Sequence, residues 1–226
     1  MNNNNALLII DMQCENGFAL EGFDTVVRNT SSLLSAARQQ AVAVFYSRHI
    51  NLADGTGLPP NEPLASDGGP ASYRSGTTAV EILPALAPIA GETVIDKPRY
   101  SAFFQTDLHA RLQQQGIDTL TVSGVLTDVC VMTTVYDAFA LGYRIRLVTD
   151  ACTATTAAAH YSALLILANW VYSLELVTTA QWLRSMAGEP YTGCTPTSPD
   201  QFAHQVHELP GAIDRLHTRL HAQAQE

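Results

Sequence analysis

The stretch Thr119-Leu-Thr-Val-Ser-Gly-Val-Leu-Thr-Asp-Val-Cys130-Val-Met-Thr-Thr-Val-Tyr-Asp-Ala-Phe-Ala-Leu-Gly142 decides how the chain is read. Its first part is an apolar, β-branched run with the length of a buried strand. Its second part spaces Val131, Val135, Ala138 and Phe139 along one helical face, with Gly142 as the stop. A short turn, Gly124 to Val129, joins the two and places Cys130 where a helix begins. A thiol there feels the positive end of the helix macrodipole, which favours the thiolate. Cys130 is therefore the leading candidate nucleophile. A free cysteine is equally a small buried hydrophobe, and Cys152 reads that way.

Outward from this stretch the chain alternates strand-like and helical runs. Ala6-Leu-Leu-Ile-Ile10 is continuous and apolar, as in a strand buried on both faces, and it ends at Asp11. A helix is expected from about Val26 to Gln40, then a strand over Ala41–Tyr46, completing a β-α-β unit. Residues Ser47 to Thr78 are rich in proline and glycine, and a connection of that length points to function. Thr93-Val-Ile95 is a third strand, followed by Lys97-Pro98, and Gln105 to Gln115 is a helix. Beyond the central stretch come a strand over Tyr143–Val148, a turn at Thr149–Thr153, a helix from Thr155 to Asn169, a strand over Val171–Val177 and a helix from Thr178 to Ala187. A Pro/Thr/Gly-rich linker (190–199) leads to an amphipathic tail helix, Asp200 to Gln225, with a break at Pro210-Gly211. Six strands alternating with helices predict a doubly wound, three-layer α/β domain over residues 6–187, with residues 188–226 as linker and helical tail.

Composition bounds the function. The 226 residues are 46% hydrophobic and 15% charged, enough for a sizeable core. The net charge of −9 and the lack of any basic run argue against a nucleic-acid or anionic-membrane surface. The four cysteines form no C-x-x-C pair and no zinc spacing. The start of the chain has neither the basic residues nor the apolar length of a signal peptide or a membrane span, so a cytoplasmic protein with reduced thiols is expected.

Asp11, Lys97 and the turn before Cys130 all fall at strand carboxyl ends, where open α/β sheets bind ligands. Asp11 reads as a loop-capping carboxylate or, partly desolvated, as a proton acceptor. Lys97 reads as a solvated lysine, or as a cation that would stabilise a thiolate at Cys130 or hold Asp11 charged. Arg48, Arg74 and Arg99 each offer a bidentate fork to a substrate carboxylate or to a structural ion pair. Phe18, Tyr100, Phe103 and Tyr136 line either a pocket or the core. The tail histidines His204, His207, His217 and His221 have metal-compatible spacing, yet without a third ligand they read as a solvated helix face.

Three ordered motifs, Ala6-Leu-Leu-Ile-Ile-Asp-Met-Gln13, Lys97-Pro-Arg-Tyr-Ser-Ala-Phe103 and Gly124-Val-Leu-Thr-Asp-Val-Cys130, resemble those of the isochorismatase-like cysteine hydrolases over roughly residues 6 to 180. The resemblance implies a Rossmann-like fold with a six-stranded, mainly parallel sheet. It also implies a catalytic triad of Cys130, Asp11 and Lys97, a cis peptide between Val125 and Leu126, and an oxyanion hole from the backbone N–H groups of Leu126 and Cys130. Family members that cleave a vinyl ether lack this cysteine, so the resemblance favours an amidohydrolase that cleaves a C–N bond of a small molecule through a thioester. Its nicotinamidases carry an Asp/His metal site after the second strand. Here Ser47 to Gly76 holds only His49, so no metal and no cofactor are expected. Members commonly form dimers or tetramers, which implies a homo-oligomer. The alternatives are vinyl-ether hydrolysis and a non-catalytic Rossmann-like binding protein, although no glycine fingerprint for a nucleotide follows the first strand.

Overall fold

Residues Ala6 to Ile10 are all fully buried because they serve two cores at once. Ala6, Leu8 and Ile10 enter one apolar cluster, and Leu7 and Ile9 enter another on the opposite face. That is the environment of a central strand in a parallel sheet covered on both sides. The structure, a computed structural model, describes residues 4–198 and 201–221.

Six strands, β1 (Asn5–Ile10), β2 (Ala43–His49), β3 (Thr93–Lys97), β4 (Thr119–Val125), β5 (Arg144–Thr153) and β6 (Leu174–Val177), form one sheet in the order β3-β2-β1-β4-β5-β6. Every neighbouring pair is parallel. Helices α1 (Phe23–Gln39) and α5 (Thr179–Met186) cover one face, with Leu33 and Trp182 in a shared core. Helices α2 (Leu108–Gln114), α3 (Met132–Ala140), α4 (Ala157–Trp170) and α6 (Leu209–His221) cover the other. The chain winds from β1 towards β3, then crosses back to β4 on the far side of β1. The crevice at the carboxyl ends of β1 and β4 is thus the topological switch point, where folds of this kind bind ligands. Among the described residues, no helix is long and apolar enough to cross a membrane.

Several boundaries differ from expectation for identifiable reasons. β2 runs to His49 rather than Tyr46, because Ser47, Arg48 and His49 pair with Ile95, Asp96 and Lys97 of β3. β5 continues through the expected turn at 149–153. A register shift against β4 absorbs the extra residues, so that Gly124 pairs with Cys152. Asp150 there accepts hydrogen bonds from the backbone N–H and hydroxyl of Thr179, at the start of α5. The tail is not helical from its expected start: residues 201–205 are irregular, Val206–Glu208 form a 3-10 turn, and the α-helix begins at Leu209, so Pro210-Gly211 lies in its first turn, where a missing N–H costs nothing. Ala212, Leu216 and Leu220 of α6 pack into the same core as Leu164 and Ala168 of α4. Asp200 and residues 222–225 of the expected tail helix lie outside the described residues.

Gly124 is required where the site is built. Its φ is +122°, and a Cβ placed there would lie 2.1 Å from the carbonyl oxygen of Ile10. Ile10 is the residue before Asp11, so a side chain at 124 pushes on the strand that carries the carboxylate. Gly124→Ala is expected to destabilise the fold by more than about 3 kcal/mol, combining overpacking with an unfavourable φ. Equilibrium urea unfolding measures this, and a loss under about 1 kcal/mol would show that β1 and β4 are not held this close.

Candidate active site

The three strand ends deliver three side chains to one buried point. Asp11 follows β1, Lys97 closes β3, and Cys130 lies in a single π-type turn, Thr127–Val131, between β4 and α3. Lys97 starts two strands away from β1, and its long side chain spans the gap. Its Nζ lies 2.6 Å from Asp11 Oδ2 and 3.4 Å from Cys130 Sγ, and it donates to the Arg99 carbonyl at 3.0 Å. The relative exposures of Asp11, Lys97 and Cys130 are 3%, 1% and 8%, so bulk water hardly screens the group.

Asp11 is fixed through both oxygens of its carboxylate. Oδ2 faces Lys97, and Oδ1 accepts a hydrogen bond from the Ser47 hydroxyl at 2.7 Å. Its backbone is left-handed, with φ +50°, and its N–H donates to the Ser47 carbonyl. The two residues that the longer β2 adds on this face, Ser47 and His49, are therefore part of the site. Gln13 clamps His49 in place: its amide oxygen accepts from the His49 N–H at 2.8 Å, and its amide nitrogen donates to the His49 carbonyl at 3.1 Å.

The electrostatics revise one expectation. Position at a helix start predicts a lowered thiol pKa. In the structure burial, and then the Asp11 carboxylate, push the Cys130 thiol well above its ordinary value, and Lys97 only partly opposes them. Cys130 thus rests as a thiol beside an Asp11–Lys97 ion pair. For Lys97, burial alone would lower the pKa, but Asp11 and then Cys130 more than offset it, so the ammonium stays charged. The turn itself matches what the motif implies in one respect: the Val125–Leu126 peptide is cis. The N–H groups of Val129 and Val131 both donate to the Leu126 carbonyl, which folds the turn around Cys130.

A roof of aromatic rings covers this group. The His49 ring lies 4.9 Å from that of Tyr73, which in turn stacks on Phe18 at 5.9 Å, and Tyr100 is 6.3 Å from His49. Tyr73 has φ +51°, uncommon for a bulky residue. Two contacts hold it there: its N–H donates to Glu15 Oε2 at 2.7 Å, and its carbonyl accepts from the Asn51 N–H at 2.8 Å. Burial, then Asp11 and Cys130, raise the Tyr73 phenol, which places it within reach of the triad's charges and keeps it neutral.

The other predicted residues divide. Phe18, Tyr100 and Arg99 surround the site. Arg48 points away on the opposite face of β2 from Ser47 and His49, in a two-pronged pair with Asp96. Arg74 pairs with Asp67 at 2.6 Å. Phe103 stacks on Tyr143 at 5.9 Å and, with Tyr136, packs against the larger core rather than lining the roof. His217 and His221 stack on each other at 4.2 Å, with His217 beside Tyr161. His49, Ser47, Gln13 and Tyr73 are the residues to which the sequence assigned no role in the site. The signal for the first two was the parity of β2: once the strand is extended past Tyr46, residues 47 and 49 fall on the side of Asp11.

Asp11, His49 and Cys130 each present one ligand atom within 4.8 Å of the others, the one such group of three among the described residues. A divalent ion there would have to displace the Lys97 ammonium, which already sits between carboxylate and sulfur. The geometry fits proton transfer better than metal ligation.

His49 and His160 share a further consequence of burial. Burial, then Lys97, lowers His49 from 6.5 to about 4, and burial lowers His160 to about 4. Both are neutral in the fold, so between about pH 6.5 and 4 the unfolded chain binds more protons. Stability must then fall as pH falls through that window, by an amount on the order of 3 kcal/mol for each histidine. His160 sits outside the triad, 2.8 Å from the Thr127 hydroxyl. His160→Gln is expected to halve the acid loss measured by urea unfolding at pH 7 and 4.5. An unfolding free energy that is flat across that range would contradict the buried-neutral assignment.

The matches to known proteins agree with this geometry. The Isochorismatase domain model matches residues 5–181. The chain is 35% identical over 156 residues to the uncharacterised isochorismatase family protein YddQ of Bacillus subtilis, covering 67% of this chain and 78% of that one. It is 37% identical over 138 residues to the N-carbamoylsarcosine amidase of an Arthrobacter species, covering 56% of this chain and 49% of that one. A cysteine hydrolase crystal structure from Pseudomonas syringae superposes with a TM-score of 0.73 at 29% identity, over 83% of this chain and 94% of that one. With a buried thiol, carboxylate and ammonium at the switch point of such a sheet, the chain belongs to the isochorismatase family as one of its cysteine hydrolases.

Proposed function

We propose that this hydrolase cleaves a C–N bond, of an amide or ureide, in a small molecule through a thioester on Cys130. The observation that carries the reading is the position of Lys97 Nζ, 2.6 Å from Asp11 and 3.4 Å from Cys130 Sγ, in a site closed to bulk water. A resting thiol beside a carboxylate needs a base at the moment of attack. Asp11 takes the Sγ proton as sulfur bonds to the carbonyl carbon. The oxyanion is held by the backbone N–H groups of Leu126 and Cys130. Asp11 then returns the proton to the leaving amine or ammonia, the C–N bond breaks and the thioester remains. A water molecule, giving its proton to Asp11, releases the acid and restores the thiol. Lys97 keeps the negative charge of the Asp11–Cys130 pair balanced throughout. The amidase activity named for a relative supports this reading.

Trapping the intermediate tests it. The enzyme is mixed with a panel of small amides and ureides, quenched in acid within the first turnover and weighed intact. The expected product is one acyl adduct, mapped to the peptide that contains Cys130. Turnover of a panel member with no adduct on Cys130, under conditions that preserve a thioester, would sink the covalent route.

A further inference from the structure

We infer that the site takes a substrate bearing a single carboxylate, and that Arg99 is the residue that binds it. The inference rests on the amidohydrolase reading for the chemistry but on separate observations for the recognition. Three arginines lie near the site in sequence, and the structure removes two of them. Arg48 and Arg74 are held by Asp96 and Asp67. Arg99 instead donates only to carbonyl oxygens, those of Pro98 and Gly57. No carboxylate pairs with it among the described residues. Two carbonyls orient a guanidinium without neutralising it, and they leave some of its five N–H donors free.

That unneutralised fork lines a cavity of about 410 Å³ with His49, Asn51, Glu62, Pro98 and Tyr100. His49 links that cavity to the chemistry: it lines the cavity, and one of its ring nitrogens lies within 4.8 Å of both Cys130 Sγ and an Asp11 carboxylate oxygen. On this inference a small molecule with its carbonyl at Cys130 extends past His49 and places its anionic end at Arg99. The prolines at 59, 60 and 63 make that side of the wall a rigid, apolar surface. Glu62 is the cavity's other charged lining residue, and its carboxylate repels a second negative charge. The fit is to a monocarboxylate rather than a dicarboxylate.

The test separates binding from turnover. The Cys130→Ala protein, which lacks the proposed nucleophile, is titrated calorimetrically with succinamate, N-carbamoylglycine, their neutral methyl esters and N-carbamoylaspartate. At least one acid is expected to bind tenfold or more tightly than its ester, as a charge-assisted pair provides. Arg99→Gln in the same background should erase that preference while leaving ester binding within about threefold, and Arg99→Lys should restore part of it. N-carbamoylaspartate should bind less tightly than N-carbamoylglycine, with Glu62→Gln narrowing the gap. The carboxylate assignment is overturned if no acid binds better than its ester, or if Arg99→Gln weakens acid and ester alike. Equal binding of the dicarboxylate overturns the single-charge limit. These readouts need no catalysis. An acid preference that depends on Arg99, found together with activity that survives Cys130→Ser, would reject the thioester mechanism and keep the binding site.

Discussion

Cys130→Ser is expected to lower kcat/KM for amide or ureide hydrolysis roughly a thousandfold or more while leaving the fold unchanged, because removal of a nucleophile leaves only the rate that binding and the oxyanion site supply. The size of the effect follows from the resting state. Burial and Asp11 already hold the thiol above its ordinary pKa, so on the proposed route attack depends on moving a proton to Asp11 in the same step. A hydroxyl gives up its proton far less readily than a thiol and is the weaker nucleophile. Serine is close in size, and its oxygen can still accept from Lys97 as the sulfur does now. The thermal midpoint should move by no more than a few degrees. Loss of rate with an intact fold places the thiol in the reaction, and the acyl adduct on Cys130 is what shows that its role is covalent. A variant that keeps more than about a tenth of wild-type kcat/KM would mean that Asp11 and Lys97 activate water directly, as in an ether-cleaving reaction without a thioester.

Much of this could be read from the chain, and the boundary of what could is physical. The run Ala6–Ile10 and the run before Gly124 announce buried parallel strands, because few other environments accept such continuous apolar residues. Their ends place Asp11 and Cys130 at one crevice, since strand order in a doubly wound sheet brings β1 and β4 together. The charge state of Cys130 was not legible. A helix start and a nearby cation both favour a thiolate, and only the folded structure shows burial and Asp11 outweighing them. Among the arginines the failure was one of parity. Arg48 reads as part of a loop, but β2 runs past its expected end to His49. In that strand the odd positions 47 and 49 face the site while 48 faces Asp96. Tyr73 was invisible for another reason: Asn51 and Glu15, distant in sequence, hold it over the triad. No local pattern encodes such a contact.

Lys97→Met is expected to cost about 3–5 kcal/mol of stability and to abolish measurable activity, because it leaves the Asp11 carboxylate buried with no counter-ion. Ser47 would remain as its hydrogen-bond donor, and one neutral donor does not replace an ammonium at 2.6 Å. That loss alone could be mistaken for a purely structural lysine, so the informative variant is the pair. Asp11→Asn combined with Lys97→Met removes both charges together, and the new amide keeps an oxygen able to accept from Ser47. Replacing a buried ion pair by neutral groups of similar size is often close to neutral in stability. The double variant should therefore recover to within about 2 kcal/mol of wild type. It should lose far less than the two single variants add up to, which is a large coupling between the sites. Activity should not recover, because the proposed proton acceptor is gone even though the fold is back. If the double variant is as unstable as Lys97→Met alone, the cost lies in packing of the lysine stem rather than in the stranded carboxylate. If instead the double variant hydrolyses amides, proton transfer through Asp11 is not part of the reaction.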